Sequence, residues 1–180
     1  SIGKPMNDVE MMIVDEEGHE IPAGQIGEIV ARGPRVMSGY WKDKEKTDKT
    51  IDKDGWVHTG DIGYIDEDGY YFLAGRATDM IIRAGENISP EEVEIAMQSH
   101  PKIEEVAVIG VPDEEWGEQP RAVVVLKAGE TATPEEIMEY CRNRLASFKR
   151  PRSVIFVDSI PHNPMGKIIK RELRNKYGKP

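Results

Sequence analysis

The sequence predicts an α+β chain: β-hairpins first, then a small C-terminal domain in which a three-stranded sheet is flanked by helices. Three observations carry this. Val9 to Val14, Gly27 to Arg32 and Gly63 to Leu73 place apolar residues at strand spacing around turns rich in Asp and Gly, such as Asp15-Glu16-Glu17-Gly18 and Asp66-Glu67-Asp68-Gly69. Ser89-Pro90 and Thr133-Pro134 are each followed by paired glutamates, the layout of a side-chain cap, a proline in the first turn and acids near the positive end of a helix. Between and after these helix starts come Val- and Ile-rich runs, Ile103 to Val111, Gln119 to Lys127 and Ser153 to Val157, which supply the sheet.

Within that frame each segment has a local reason. Tyr40-Trp41 precede a polar run, Lys42 to Lys53, read as solvated surface. The Asp66 to Gly69 turn has an Asp-x-Asp spacing but lacks the other ligands of a calcium loop, so it reads as a hairpin turn. In the first helix Val93, Ala96 and Met97 share a face; in the second Ile137, Met138, Cys141 and Leu145 do. Residues 112 to 118, Pro-Asp-Glu-Glu-Trp-Gly-Glu, read as a loop between strands. Gly166 allows the turn that projects Lys167, and a helix follows.

Composition bounds the function. With 180 residues, 38% hydrophobic and 32% charged, the chain has too many apolar residues for disorder and room for one domain plus a piece of another. The single Cys141 excludes an internal disulfide and suits a reducing, cytoplasmic setting. No apolar run has the length of a membrane span, and the start at Ser1 reads as a cut inside a longer chain. His58 has no Cys or His at ligand spacing, so no metal site is expected on the chain. The net charge of −9 is uneven: residues 142 to 180 hold eleven Lys and Arg against two acids, Asp158 and Glu172. A basic tail on an acidic body points to an anionic ligand. Nucleic acid is disfavoured, because the tail lacks interleaved aromatics for base stacking.

Three motifs in order, Trp56-Val57-His58-Thr59-Gly60-Asp61, Gly75-Arg76 through Gly85-Glu86-Asn87-Ile88-Ser89-Pro90, and Pro161 through Gly166-Lys167, resemble those of the AMP-forming acyl-CoA synthetases of the adenylate-forming superfamily. The resemblance covers nearly the whole chain, is nearest to medium- and long-chain fatty acid ligases, and corresponds to the C-terminal part of such an enzyme. It implies residues 1–75 as the β-rich end of a larger adenylation portion, 76–78 as a hinge linker and 79–180 as a lid domain. It further implies that Asp61, expected at a strand end with its oxygens free, accepts hydrogen bonds from the ribose diol of ATP, and that Arg76 reaches ribose or phosphate. Lys167 enters the site during adenylation, and Ala84, Gly85 and Glu86 border the path of the CoA thiol. The hinge position, Asp or Lys in the family, is Thr78 here, with Asp79 beside it as a second candidate pivot; the family's Thr in the last motif is Asn163.

The implied reaction has two halves: a carboxylic acid and Mg-ATP give an acyl-adenylate and pyrophosphate, and CoA then displaces AMP. ATP, magnesium and CoA are the implied cofactors, and the acid and the nucleotide are held together with the absent N-terminal portion, so this stretch alone is expected to be silent. Peripheral membrane association and a homo-oligomer are compatible with it. Two rival readings stay open: an adenylation domain that loads a carrier protein, and a non-catalytic α/β domain used for protein contacts.

Overall fold

The computed structural model describes residues 1–179, which divide into two compact units, one ending at Thr78 and the other beginning at Asp79. The first unit is an antiparallel meander of β1 (Glu10–Val14), β2 (Gly27–Arg32), β3 (Val57–Ile65) and β4 (Tyr71–Arg76), in that order. One face buries Ile13, Ile29 and Tyr71, backed by Met11, Ile21 and Ile65. The Tyr71 hydroxyl donates to the Met11 carbonyl at 2.6 Å, so the polar end of that ring is satisfied. Residues 1 to 3 close the outer edge of β4: the Ile2 amide donates to the Tyr71 carbonyl and the Tyr71 amide to that of Gly3. The polar run expected to be plain surface contains a short helix, α1 (Lys44–Thr50), capped by the Asp43 side chain, with no buried residue. Its i,i+4 pairs Lys44–Asp48 and Lys49–Glu45 explain how so polar a stretch stays helical.

In the second unit the sheet has five strands, not the three that the sequence predicts. β5 (Ile81–Arg83), β6 (Glu86–Ile88), β7 (Ile103–Asp113) and β8 (Gly117–Leu126) run in the order β6-β5-β8-β7, and β9 (Ser153–Phe156) pairs in parallel with β8. The two extra strands form a hairpin of only three residues each, too short for an alternation to register. Residues 112 to 118 are strand ends around a tight turn rather than a loop, with Asp113 paired to Gly117.

The sheet is buried on both faces, which is why β7 reads as a nearly unbroken apolar run. Val106 and Val108 pack with Ile81, Ile88 and the helices α2 (Pro90–Gln98) and α3 (Pro134–Tyr140). Ala107, Ile109 and Val111 pack on the other side with Ile160 and Leu173, the latter from α4 (Lys170–Tyr177). Burying Leu173 is worth about 1.5–3 kcal/mol, the main hold on an otherwise strongly polar helix. The caps form as their residue types require: Ser89 Oγ accepts the Glu92 amide at 3.3 Å, and Thr133 Oγ1 that of Glu136 at 3.2 Å. Among the described residues no helix is long and apolar enough to cross a membrane.

Candidate functional site

Asp61 lies within β3, not at a strand end, and its carboxylate is not free. β3 and β4 place it opposite Arg76, whose Nε is 2.8 Å from Asp61 Oδ1. The backbone around it is fixed from several sides. Glu28 Oε1 accepts the Gly60 amide at 2.9 Å while its Oε2 meets His58 Nδ1 at 2.8 Å. The Thr59 hydroxyl donates to the Ile29 carbonyl and accepts the Asp61 amide. Glu28, His58 and Thr59 therefore hold the carboxylate in place, a role the sequence did not reveal because Glu28 is thirty residues from His58. An acceptor-only group already oriented by a guanidinium suits a vicinal diol, and the neighbouring cation suits phosphate.

Thr78 is exposed, and Asp79 pairs with Arg174 of α4 at 2.8 Å. Ala84 and Gly85 form the two-residue turn between β5 and β6, both with positive φ, 52° and 84°. That pair of left-handed residues defines the turn type favoured by tight hairpins. A side chain built at Gly85 meets nothing within 4 Å, so packing inside the chain does not demand the glycine. Glu86 opens β6 and is exposed. The Ala84 amide donates to the Trp116 carbonyl at 2.8 Å, bringing the turn against the end of the β7–β8 hairpin.

Beside that contact lies an open groove lined by Arg83, Asp113, Trp116, Arg121 and Arg152, among others. The Arg83 guanidinium sits 4.5 Å from the Trp116 ring centre, and its Nε is buried without a hydrogen-bond partner. Arg121 is otherwise engaged: it donates to Ser153 and to the carbonyls of Tyr177 and Lys179. The groove thus offers an aromatic side chain with Arg83 and Arg152, beside the carboxylates of Asp113, Glu114 and Glu115.

Lys167 is exposed at the end of a turn whose construction recurs in the chain. Asn163 Oδ1 accepts the amides of Met165 and Lys167 at 2.9 and 3.0 Å, the Gly166 amide donates to the Asn163 carbonyl, and Gly166 has φ of 77°. Asp15, Asp52 and Asp66 build the same turn with Gly18, Gly55 and Gly69. Asn163 is therefore the residue that shapes the turn presenting Lys167. His162, just before it, contacts Glu105 near the start of β7 at 2.6 Å. The Gly85 turn is anchored at the other end of the same strand, beyond Asp113. Eight residues of strand separate those anchors, roughly 26 Å at about 3.3 Å per residue.

The magnesium that the resemblance implies has no candidate ligand cluster among the described residues.

Comparison with known proteins places the chain in a family. Residues 1–41 match the family model of the AMP-binding enzymes, and residues 92–167 match that of the AMP-binding enzyme C-terminal domain. The chain is 45% identical to the fatty acid–[acyl-carrier-protein] ligase ScoC of Streptomyces coeruleorubidus, over 97% of this chain and 34% of the relative. It is 46% identical to 4-coumarate–CoA ligase 1 of Glycine max, over 97% of this chain and 60% of the relative. Among solved structures, ATP-bound MatB from Rhodopseudomonas palustris superposes with a TM-score of 0.90 at 42% identity, covering 98% of this chain and 35% of that one. The chain spans about a third of ScoC and of MatB. With those two matches in sequence order over a common fold, the chain belongs to the AMP-binding enzymes of the adenylate-forming superfamily and corresponds to their C-terminal part.

Proposed function

We propose that this chain is the nucleotide-contacting edge and mobile lid of an AMP-forming carboxylic acid–CoA ligase. Asp61 accepts hydrogen bonds from the ribose diol, and Arg76 holds that carboxylate while facing the phosphates. Lys167 places its ammonium beside the α-phosphate as the acid attacks, where negative charge builds on oxygen. Rotation at Thr78 then withdraws Lys167 and brings in the Ala84-Gly85-Glu86 turn, where the absent side chain at Gly85 leaves a gap for the thiol arm. The groove beside it takes the nucleotide end of CoA, with Trp116 against the base.

The observation that carries this reading is the separation of the two tools along β7. Groups anchored roughly 26 Å apart on one rigid sheet cannot serve one small reaction centre together. Each half-reaction requires its own orientation of the unit.

In the full-length enzyme, Lys167→Ala should slow pyrophosphate release by roughly 100- to 1,000-fold while sparing conversion of supplied acyl-adenylate to acyl-CoA. Equal loss of both steps refutes the division of labour. The acid is read as a fatty acid from likeness to medium- and long-chain ligases; relatives named for a fatty acid and for coumarate make a panel of acids the test of that choice. A second reading, loading of a carrier protein, is favoured by the likeness to a fatty acid–[acyl-carrier-protein] ligase. Offering free CoA and a phosphopantetheinyl carrier in parallel separates the two.

A further inference from the structure

We propose that Arg174 is a positioning residue for Lys167, acting through its ion pair with Asp79, and that Thr78 alone is the pivot. The inference rests on the lid reading above and deepens it.

Asp79 is the first residue of the second unit. Its Oδ1 lies 2.8 Å from Arg174 Nη1, with both side chains at least two-thirds covered. Arg174 stands one turn beyond Lys170 on α4, so the two share a stripe of that helix. Lys170 in turn pairs with Glu94 of α2 at 2.8 Å, with side chains only 12% and 17% exposed, and the same Glu94 oxygen accepts the Val108 amide from the edge strand β7. Leu173 between them is fully packed, and Ile168, the residue after Lys167, packs into the same cluster. The helix that begins three residues after Lys167 is thus tied to the lid body by one cation and to the hinge exit by the next.

This arrangement assigns different parts to neighbouring residues. Asp79 cannot swing independently of α4 without breaking its pair. The Thr78 side chain, by contrast, is exposed. A rotation at Thr78 therefore passes through Asp79 and Arg174 into α4 and the Lys167 turn as one body. Without the pair, the first residue of the lid gains freedom, and the angle at which Lys167 arrives becomes a distribution. Adenylation needs that angle; thioester formation, performed with Lys167 withdrawn, does not.

The experiment uses the full-length enzyme with Arg174→Met, Asp79→Arg, the double swap Asp79→Arg/Arg174→Asp, and Lys167→Ala as the control. Arg174→Met is expected to lower the adenylation kcat about tenfold at unchanged KM for ATP, as a small misplacement of a catalytic group does. Its rate of acyl-CoA formation from supplied acyl-adenylate should match the parent, and the double swap should recover most of the lost adenylation. An unchanged adenylation rate, an equal loss in both half-reactions, or no recovery in a folded double swap overturns the inference. Should Arg174→Met fail to fold, Arg174→Lys, which keeps the charge on a different reach, must show the same one-sided loss. If Lys167→Ala itself leaves adenylation intact, the lid reading is what has failed; if Lys167→Ala abolishes it and the Arg174 variants do nothing, only the clamp has.

Discussion

Asp61 and Lys167 are the two residues that the proposed function sets nearest the chemistry, and their surroundings could hardly differ more. Asp61 is held in mid-strand by Arg76, with its own backbone fixed through Thr59 and Glu28. Lys167 stands exposed at the end of a turn, its side chain ungripped and only its backbone shaped, by Asn163. A group that binds a substrate present throughout the reaction benefits from being fixed in advance. A group needed for one step and obstructive in the next must instead be mounted on something that moves. The difference between the two environments is what a two-step reaction on one surface would select.

Three experiments sharpen or break that contrast. The largest effect is expected at Asp61. Asp61→Asn keeps the shape but loses the charge-assisted acceptor, and should raise the KM for ATP in the full-length enzyme by roughly 10- to 100-fold, from about 1.5–3 kcal/mol per charged hydrogen bond. A KM unchanged while kcat falls would mean that Asp61 acts on the transition state instead. Next comes Asn163. Asn163→Ala removes the acceptor for two backbone amides and should cost roughly 1–3 kcal/mol of local stability and slow adenylation, whereas Asn163→Asp should keep the turn, because Asp15, Asp52 and Asp66 already build it. Hydrogen exchange at the Met165 and Lys167 amides reads this out directly, and protection surviving in Asn163→Ala would contradict it.

The smallest effect concerns pH, where the two units should part company. His100 in the second unit is 5% exposed, and burial lowers its pKa below the usual 6.5. The unfolded chain therefore takes up a proton first as pH falls through 6.5, and the folded unit loses stability from there downward. In the first unit the Arg32 hydrogen bond lowers Glu10 below its ordinary 4.5, and the His19 backbone amide lowers Asp15 below 3.8. Stability from these is complete above those ordinary values and fades only in stronger acid. Glu94, raised by burial, works against His100 in the second unit, since its raised pKa favours the fold as it protonates. Comparing the chain with His100→Asn isolates the histidine: the difference in protection of second-unit amides should shrink between pH 6.5 and 5, and a constant difference would deny it.

Much of this was legible in the residues. The long strands, both proline-led helices and the order of the three motifs follow from periodicity and capping chemistry, which are local. The Asp61 partner was not, and the reason is one residue of register. From the Asp66 to Gly69 turn, β3 and β4 pair Gly63 with Leu73, and an unbroken ladder would set Asp61 opposite Gly75; a bulge shifts the pairing so that Arg76 faces it. The return strand of the Ala84 hairpin, Glu86–Ile88, escaped because it has three residues and two of them are exposed, and the Asp79 to Arg174 pair because it spans most of the second unit. Asn163 was visible as a departure from the family pattern, yet its meaning lay elsewhere in the same chain, in three aspartates that close the same kind of turn.

That recurrence has a consequence for how a residue mounted on such a turn can change. The position following the glycine is His19, Trp56, Tyr70 or Lys167 in the four turns, and the backbone is alike beneath each. The mount is indifferent to its occupant. Chemistry can therefore be swapped, lost or regained at that point by exchanging a single side chain, with folding left almost untouched.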